Sequence, residues 1–192
     1  MKIVRARKKD YADVVEILTE SLASSYNNAF LGKTQNLRSF LMEQMEGEFV
    51  FLATNEADSV LAVIKLSHPK EKSVGLLKKA KLVFKYFPLF AALHSIFVTF
   101  IPSHPVKNAL HISQIAVRKG NRDSGIGGKL LDFVFDLARE LGYTKVTLMV
   151  NSENPALRLY EMHGFYVTKR YKSWIVNEAL GYKVALFMTK DL

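Results

Sequence analysis

Two apolar, β-branched runs, Ile112–Val117 and Lys145–Val150, flank a single amphipathic helix, and this order leaves the chain few ways to fold. A strand–helix–strand unit of that length joins parallel neighbours through a right-handed crossover. The chain therefore contains at least one parallel strand pair with the connecting helix on one face. Between the first run and the helix lies a polar, glycine-containing loop, and Gly125 to Gly128 opens the helix. Its apolar positions Leu130, Leu131, Val134, Leu137, Ala138 and Leu141 follow the three-to-four spacing of one buried face. The first N–H groups of a helix have no partner inside it, and the macrodipole adds partial positive charge there, so such a start binds anions such as phosphate.

The 192 residues, 49% of them apolar, suit one domain with a substantial core over residues 1–192. No cysteine is present, which excludes disulfide scaffolds, Cys-ligated zinc and thiolate nucleophiles and points to a cytoplasmic setting. The segment Met1–Asp10 lacks the apolar core of a signal peptide, so secretion is not expected. A formal charge of +9 implies an acidic partner: a phosphate-bearing cofactor, nucleic acid or an anionic membrane face. The excess is local, because residues 65–85 hold seven lysines against the single acid Glu71.

Residues 2–7 alternate like a strand. Asp10 is placed to cap a helix from about Tyr11 to Ser24, with Val14, Ile17, Leu18 and Leu22 on one face and Tyr26–Phe30 breaking it. A second helix over about Asn36–Met45 sets Leu37, Phe40 and Leu41 on one side, with Gly47 at its end. Glu48–Thr54 and Ser59–Ser67 read as a hairpin. Leu76, Leu77, Ala80, Val83, Phe84 and Phe87 then lie at helical spacing opposite Lys78, Lys81 and Lys85, until Pro88 interrupts. The apolar run Leu89–Ile101 follows, and Pro102–Pro105 turns the chain.

Leu82–Ile101 is long enough to suggest a membrane span, but Lys85, Pro88 and His94 interrupt it. A single span would also part strands that read as members of one sheet. The segment at about 70–106 is expected to be a helical insertion between the third and fourth strands. It either packs on the sheet and walls a pocket or touches a membrane surface peripherally through residues 70–101. After Val150, Asn154 reads as an N-cap, Pro155 as a first helical position and Gly164 as the C′ residue of a short helix. Phe165–Tyr171 and Tyr182–Met188 form a closing strand pair whose edge could pair two copies, so a monomer or a homodimer is expected.

Spacing restricts what the loop can bind. A Walker loop needs Ser or Thr after its lysine, whereas Leu130 follows Lys129. A dinucleotide fingerprint sets its first glycine at the strand end, but Gly125 lies eight positions beyond Val117, and Leu130 stands at the third glycine. In Ile115-Ala-Val117, in Arg122-x-x-Gly125-x-Gly127 and in Asn154-x-Ala156-x-x-x-Tyr160-x-x-x-Gly164-Phe165, the chain resembles the GNAT superfamily of acyl-CoA-dependent N-acyltransferases.

The resemblance implies a single α+β domain: a mixed, mostly antiparallel sheet, a central parallel strand pair splayed to hold coenzyme A, and helices on both faces. It further implies acetyl-CoA as cosubstrate with no metal. The pyrophosphate would sit on Arg122, Asp123, Ser124, Gly125, Ile126, Gly127, Gly128 and Lys129, with the glycines admitting close approach. The pantetheine arm would run along Ile115, Ala116 and Val117, an N–H near Ile115 would meet the acetyl carbonyl, Asn154 would bind the arm, and Tyr160 would serve as acid toward the sulfur. Many relatives carry a glutamate base just before Ile-Ala-Val; here Ser113 and Gln114 stand there and cannot take up a proton. His111, His94 and His104 are the candidate bases, unless the amine enters neutral.

The implied activity is acetyl transfer to a primary amine, foremost of a small molecule. A protein or peptide amine and a non-catalytic acyl-CoA-binding module are the alternatives. Nucleic acid is not expected as a partner, since no reading motif is present. The aromatic and aliphatic insertion hints at a partly apolar acceptor.

Overall fold

In a computed structural model, residues 1–45, 49–67, 76–93, 106–172 and 184–192 are described. Seven strands build one sheet: β1 (Lys2–Arg5), β2 (Phe49–Thr54), β3 (Val60–Ser67), β4 (Ala109–Val117), β5 (Lys145–Asn151), β6 (Tyr166–Tyr171) and β7 (Ala185–Asp191). Their order is β1-β2-β3-β4-β5-β7-β6, so the last strand lies between β5 and β6. Among the described residues only β4 and β5 run parallel; the other pairings are antiparallel. This is the α+β architecture the sequence implied.

Helices cover both faces. On one, α5 (Ile126–Glu140) lays Leu130, Leu131, Val134 and Ala138 on Leu110, Ile112, Val146, Leu148 and Met188, and α6 (Leu157–Met162) joins the same core through Tyr160. Of the expected face, Leu130, Leu131, Val134 and Ala138 are buried and Leu137 and Leu141 are partly buried, with Ile126 and Phe135 added. On the other face, α1 (Tyr11–Ser21) and α3 (Leu37–Gln44) bury Val14, Val15, Ile17, Leu18, Phe40 and Leu41 against Val50, Leu52, Val63 and Ala116. Even and odd strand positions thus feed two separate cores, as the two-residue period of a strand requires.

Several details differ from expectation. The first helix breaks at Leu22 (φ −116°, ψ 19°) and resumes as α2 (Ala23–Ala29), so Tyr26–Ala29 continue in helix rather than breaking it. Tertiary anchoring outweighs the weak propensity of Ser and Asn here: Phe30, at the end of α2, stacks on Phe87 at 4.0 Å and meets Phe40 edge-on at 5.5 Å. Asp10 stands before α1, but its carboxylate turns back to accept the Arg7 N–H at 2.8 Å and closes the short turn Lys8–Asp10 instead. The hairpin forms as read, with the Asn55 side-chain oxygen accepting N–H groups of Ala57 and Ser59.

In the segment between β3 and β4, α4 (Leu76–Tyr86) forms where the apolar spacing predicts it, and the backbone is helical again over 89–93. Val83, Phe87, Ala91 and Ala92 are buried, whereas Phe84 faces outward. The buried arc passes through Val83 and Phe87, four positions apart, and Phe84 lies about 100° further round the helix from Val83. The helix docks on α3: Lys85 Nζ lies 2.6 Å from Glu43 Oε2, the Tyr86 hydroxyl donates to the same oxygen at 2.6 Å, and Asn36 Nδ2 donates to the Tyr86 carbonyl at 2.9 Å. The side chains of residues 76–79, Gly47, His94, His104, the turn Pro102–Pro105 and Tyr182 lie outside what is described. Among the described residues, no helix is long and apolar enough to cross a membrane.

Phe87 packs against both Phe30 and Phe40. Phe87→Ala is expected to cost about 3 to 5 kcal/mol in a urea-denaturation measurement. A loss below about 1 kcal/mol would mean that α4 contributes nothing to the second core.

Candidate active site

The parallel pairing of β4 with β5 covers four residue pairs, from Ala109 opposite Lys145 to Ile112 opposite Leu148. Both strands continue past this point but hold other neighbours, β4 staying on β3 as far as Val117 and β5 on β7 as far as Asn151. A gap therefore opens between them. At its start the β3–β4 register shifts, with Lys65 opposite Gln114 and Leu66 opposite Ile112, so that Ser113 is an extra, bulged residue.

Main-chain groups of β4 face the gap. The Arg118 N–H bonds the Leu61 carbonyl at 2.8 Å, and antiparallel alternation then places Ala116 and Gln114 in the bonded pairs with Val63 and Lys65. The N–H and C=O of Ile115 and Val117 accordingly point away from β3, while the Ala116 side chain is buried in the second core.

Beyond β4, Arg118 turns inward. It donates from Nε to the Val60 carbonyl at 3.0 Å and pairs with Asp13 at 3.1 Å and Glu16 at 3.5 Å, tying α1 to the strand end. Arg122 reaches back to the Val117 carbonyl at 3.4 Å and the Ser21 hydroxyl at 3.3 Å, and the Ser124 hydroxyl donates to the Asn121 carbonyl at 2.5 Å. Asp123 and Gly125 have positive φ, 60° and 77°. Gly125 is the N-cap of α5 and no side chain caps the helix, so the N–H groups of Ile126, Gly127 and Gly128 are available to a ligand. Arg122, Asp123, Ser124, Gly125 and Lys129 are exposed, whereas Ile126 is buried as an anchor.

The glycines divide by role. A Cβ on Gly125 would meet nothing within 4 Å, so its positive φ is what requires glycine there. A Cβ on Gly127 would lie 3.0 Å from Leu159 Cδ2, and one on Gly128 would lie 3.0 Å from His163 Nε2. Close packing of α6 on the start of α5 is thus a reason for these two glycines that the sequence did not disclose.

The turn before α6 is built by Asn154, whose Oδ1 accepts the Ala156 N–H at 2.8 Å; regular helix begins at Leu157, later than the expected Pro155. At the other end, Gly164 (φ 81°) donates to the Glu161 carbonyl at 2.9 Å and Phe165 to the Tyr160 carbonyl at 3.0 Å, a Schellman ending with Gly164 at C′ as expected. Tyr160 is buried, its ring edge-on to Phe165 at 6.0 Å, and Phe165 in turn lies 5.8 Å from Phe135 of α5.

Comparison with known families matches residues 15–165 to the Acetyltransferase (GNAT) family. The chain belongs to that family. GNAT acetyltransferases are acyl-CoA-dependent transferases, and acetyl-CoA is their cosubstrate. Solved GNAT structures share the fold. A ribosomal-protein-alanine N-acetyltransferase from Brucella melitensis is 19% identical, with all of both chains covered and a TM-score of 0.63. A GNAT family acetyltransferase from Elizabethkingia anophelis with acetyl-CoA bound is 15% identical over all of this chain and 97% of that one, with a TM-score of 0.61. An IAA acetyltransferase from Bacillus cereus is 15% identical over all of this chain and 99% of that one, with a TM-score of 0.59. No curated protein matches the chain.

The structure also locates the residues where a GNAT base was sought. His111 sits on the closed part of β4, with Nδ1 3.0 Å from Thr147 Oγ1 and the ring stacked on Phe187. Burial pushes its pKa down to about 4, so the imidazole is neutral and weakly basic at neutral pH. Ser113 exchanges a hydrogen bond with Ser67 at 2.6 Å. Gln114 Nε2 donates to the Tyr26 hydroxyl oxygen at 2.8 Å, whereas its Oε1 is buried without a partner. Burial lifts the Tyr26 phenol to about 12, which the Gln114 hydrogen bond partly offsets. Sequence reasoning missed this pair: Tyr26 was read as a helix breaker, and its 88-residue separation from Gln114 leaves no local signal. Among the described residues no cluster of His, Asp or Glu could hold a metal ion.

Because the folded pKa of His111 lies below the unfolded value, the unfolded chain binds protons more readily, and stability falls as pH drops from 6.5 toward about 4. His111→Gln should flatten the dependence of the urea midpoint on pH within that window. Parallel profiles for the two proteins would refute the desolvated environment. At the helix start, Gly127→Val should drive a branched side chain into Leu159 and abolish acetyl-CoA binding in calorimetry; unchanged affinity would remove this loop from the cofactor site.

Proposed function

We propose that the chain transfers the acetyl group of acetyl-CoA to a primary amine of a small molecule by direct attack. The observation that carries this reading is the gap between β4 and β5, with main-chain groups of Ile115 and Val117 along one side and the uncapped start of α5 at its end. An arm bearing amides and ending in phosphates complements those two features. Its pyrophosphate is assigned to the backbone from Arg122 to Lys129, with the Arg122 and Lys129 side chains supplying positive charge. The pantetheine arm is assigned to Ile115, Ala116 and Val117. Asn154 spends its Oδ1 on the Ala156 N–H, and its amide nitrogen remains for the arm.

Acetyl-CoA supplies the acetyl group as a thioester; the chain supplies position, polarisation and a proton. The N–H near Ile115 is assigned to the acetyl oxygen, where negative charge develops. Tyr160 is assigned as the acid that protonates the departing sulfur, in line with its burial on the helix that abuts the start of α5. Neither Ser113 nor Gln114 takes up a proton, and a histidine held near pKa 4 is a poor base at neutral pH. The reading that follows is that the amine reaches the thioester already neutral, its proton passing to water. Gln114 can then orient the amine without deprotonating it, its orphaned carbonyl oxygen being a hydrogen-bond acceptor. The chain's lack of cysteine supports a cytoplasmic setting.

Thiol release from acetyl-CoA, followed across a set of small primary amines and amine-terminated peptides, tests the assignment. Turnover with small amines is expected; turnover confined to peptides would move the acceptor to protein. Tyr160→Phe should lower turnover roughly 100-fold while leaving acetyl-CoA affinity within a few-fold. An equal rate in the variant would remove Tyr160 as the acid.

A further inference from the structure

The insertion presents a second surface whose chemistry has no place in acetyl transfer. The side of α4 and the following turn that meets the second core is apolar and closed, with Val83, Phe87, Ala91 and Ala92 buried. Away from that core, large apolar side chains stand in solvent: Phe84 is 44% exposed, Leu89 61%, Phe90 82% and Leu93 50%. A helix that already has a buried face does not need these residues for folding, and leaving four of them wet within ten positions disfavours the isolated chain. Positive charge lies next to them in the sequence. Residues 76–93 contain Lys78, Lys79, Lys81 and Lys85 and no acidic residue. Lys81 and Lys85 are exposed and share one helical stripe, with Phe84 to one side of it; Lys85 pairs with Glu43, and Lys81 has no ion pair among the described residues.

We propose that this surface binds the face of an anionic membrane, with Phe84, Leu89, Phe90 and Leu93 entering the headgroup–acyl boundary and Lys81 and Lys85 held at the phosphate level. Three features select lipid over a protein partner. The exposed set is Phe and Leu, side chains without a polar handle, whereas protein hot spots favour Trp, Tyr and Arg. The charge of the segment is of one sign and complements acidic lipid, each lysine near such a surface adding attraction. The overall charge of +9 has the sign that steers the whole molecule toward the same surface. The contact proposed is peripheral, made by side chains on the surface of the described helix and the turn after it. It would set the enzyme beside a bilayer independently of which amine it acetylates.

Flotation of the full-length chain with vesicles of phosphatidylcholine alone, and of equimolar phosphatidylcholine and phosphatidylglycerol, is the test. Binding is expected only with phosphatidylglycerol and should weaken as salt is raised. Phe90→Ser and Lys81→Glu, both at exposed positions, should each weaken partition roughly tenfold, with circular dichroism showing an unchanged fold. The proposal is overturned by failure to float with either vesicle, by equal binding to both, or by variants that bind as the native chain does. It is equally overturned if the chain ignores vesicles and instead forms a dimer that Phe90→Ser dissociates, since the face would then be a protein interface.

Discussion

Backbone hydrogen bonding between β4 and β5 stops after four residue pairs, and the rest of the molecule accommodates that interruption. Two strands can part in the middle of a sheet only if each is held on its far side. Here β3 holds β4 and β7 holds β5, which is why the last strand must insert between β5 and β6 rather than close the sheet in chain order. The main-chain groups left along the gap are polar and directional, and each needs a partner. The bulge at Ser113 sits where the parting begins and turns the following residues, so that Ile115 and Val117 present their peptide groups to the gap while Ala116 stays in the core.

Much of this was legible because it rests on local pattern. Helical periodicity from Leu130 to Ala138, the strands on either side and the glycines at C′ positions are short-range signals. Gly164 closes a Schellman ending at the expected C′ position, and Gly142 ends α5 in the same way. What stayed hidden depends on partners distant in sequence. The bulge at Ser113 exists only relative to Lys65 and Leu66 of β3. Helix α2 survives its Ser and Asn residues because Phe30 is gripped by Phe40 and Phe87 from two other elements. Phe84 was read into a buried face that closes one residue earlier, a distinction settled by where α3 lies rather than by spacing.

The two faces of the sheet carry different chemistry. Toward α5 the core is apolar from Ile64 across to Met188, a dry floor beneath the helix whose start is open to anions. On the opposite side the strands also carry polar groups: His111 against Thr147, Thr147 paired in register with Thr189, and Thr189 3.3 Å from the Thr168 hydroxyl. Gln114 and Tyr26 extend that polar character to α2. A buried imidazole with a hydroxyl partner keeps its neutral form at ordinary pH, which suits a structural polar contact.

The contact between Gly127 and Gly128 on one helix and Leu159 and His163 on the other has a mechanical meaning. The rings of Phe135, Phe165 and Tyr160 continue the same seam, so the start of α5 and the helix carrying Tyr160 are packed on one another. In the proposed assignment, the phosphate seat and the phenol lie at the two ends of this packed seam. On that assignment grip and chemistry rest on one set of contacts, and a change in volume along the seam bears on both.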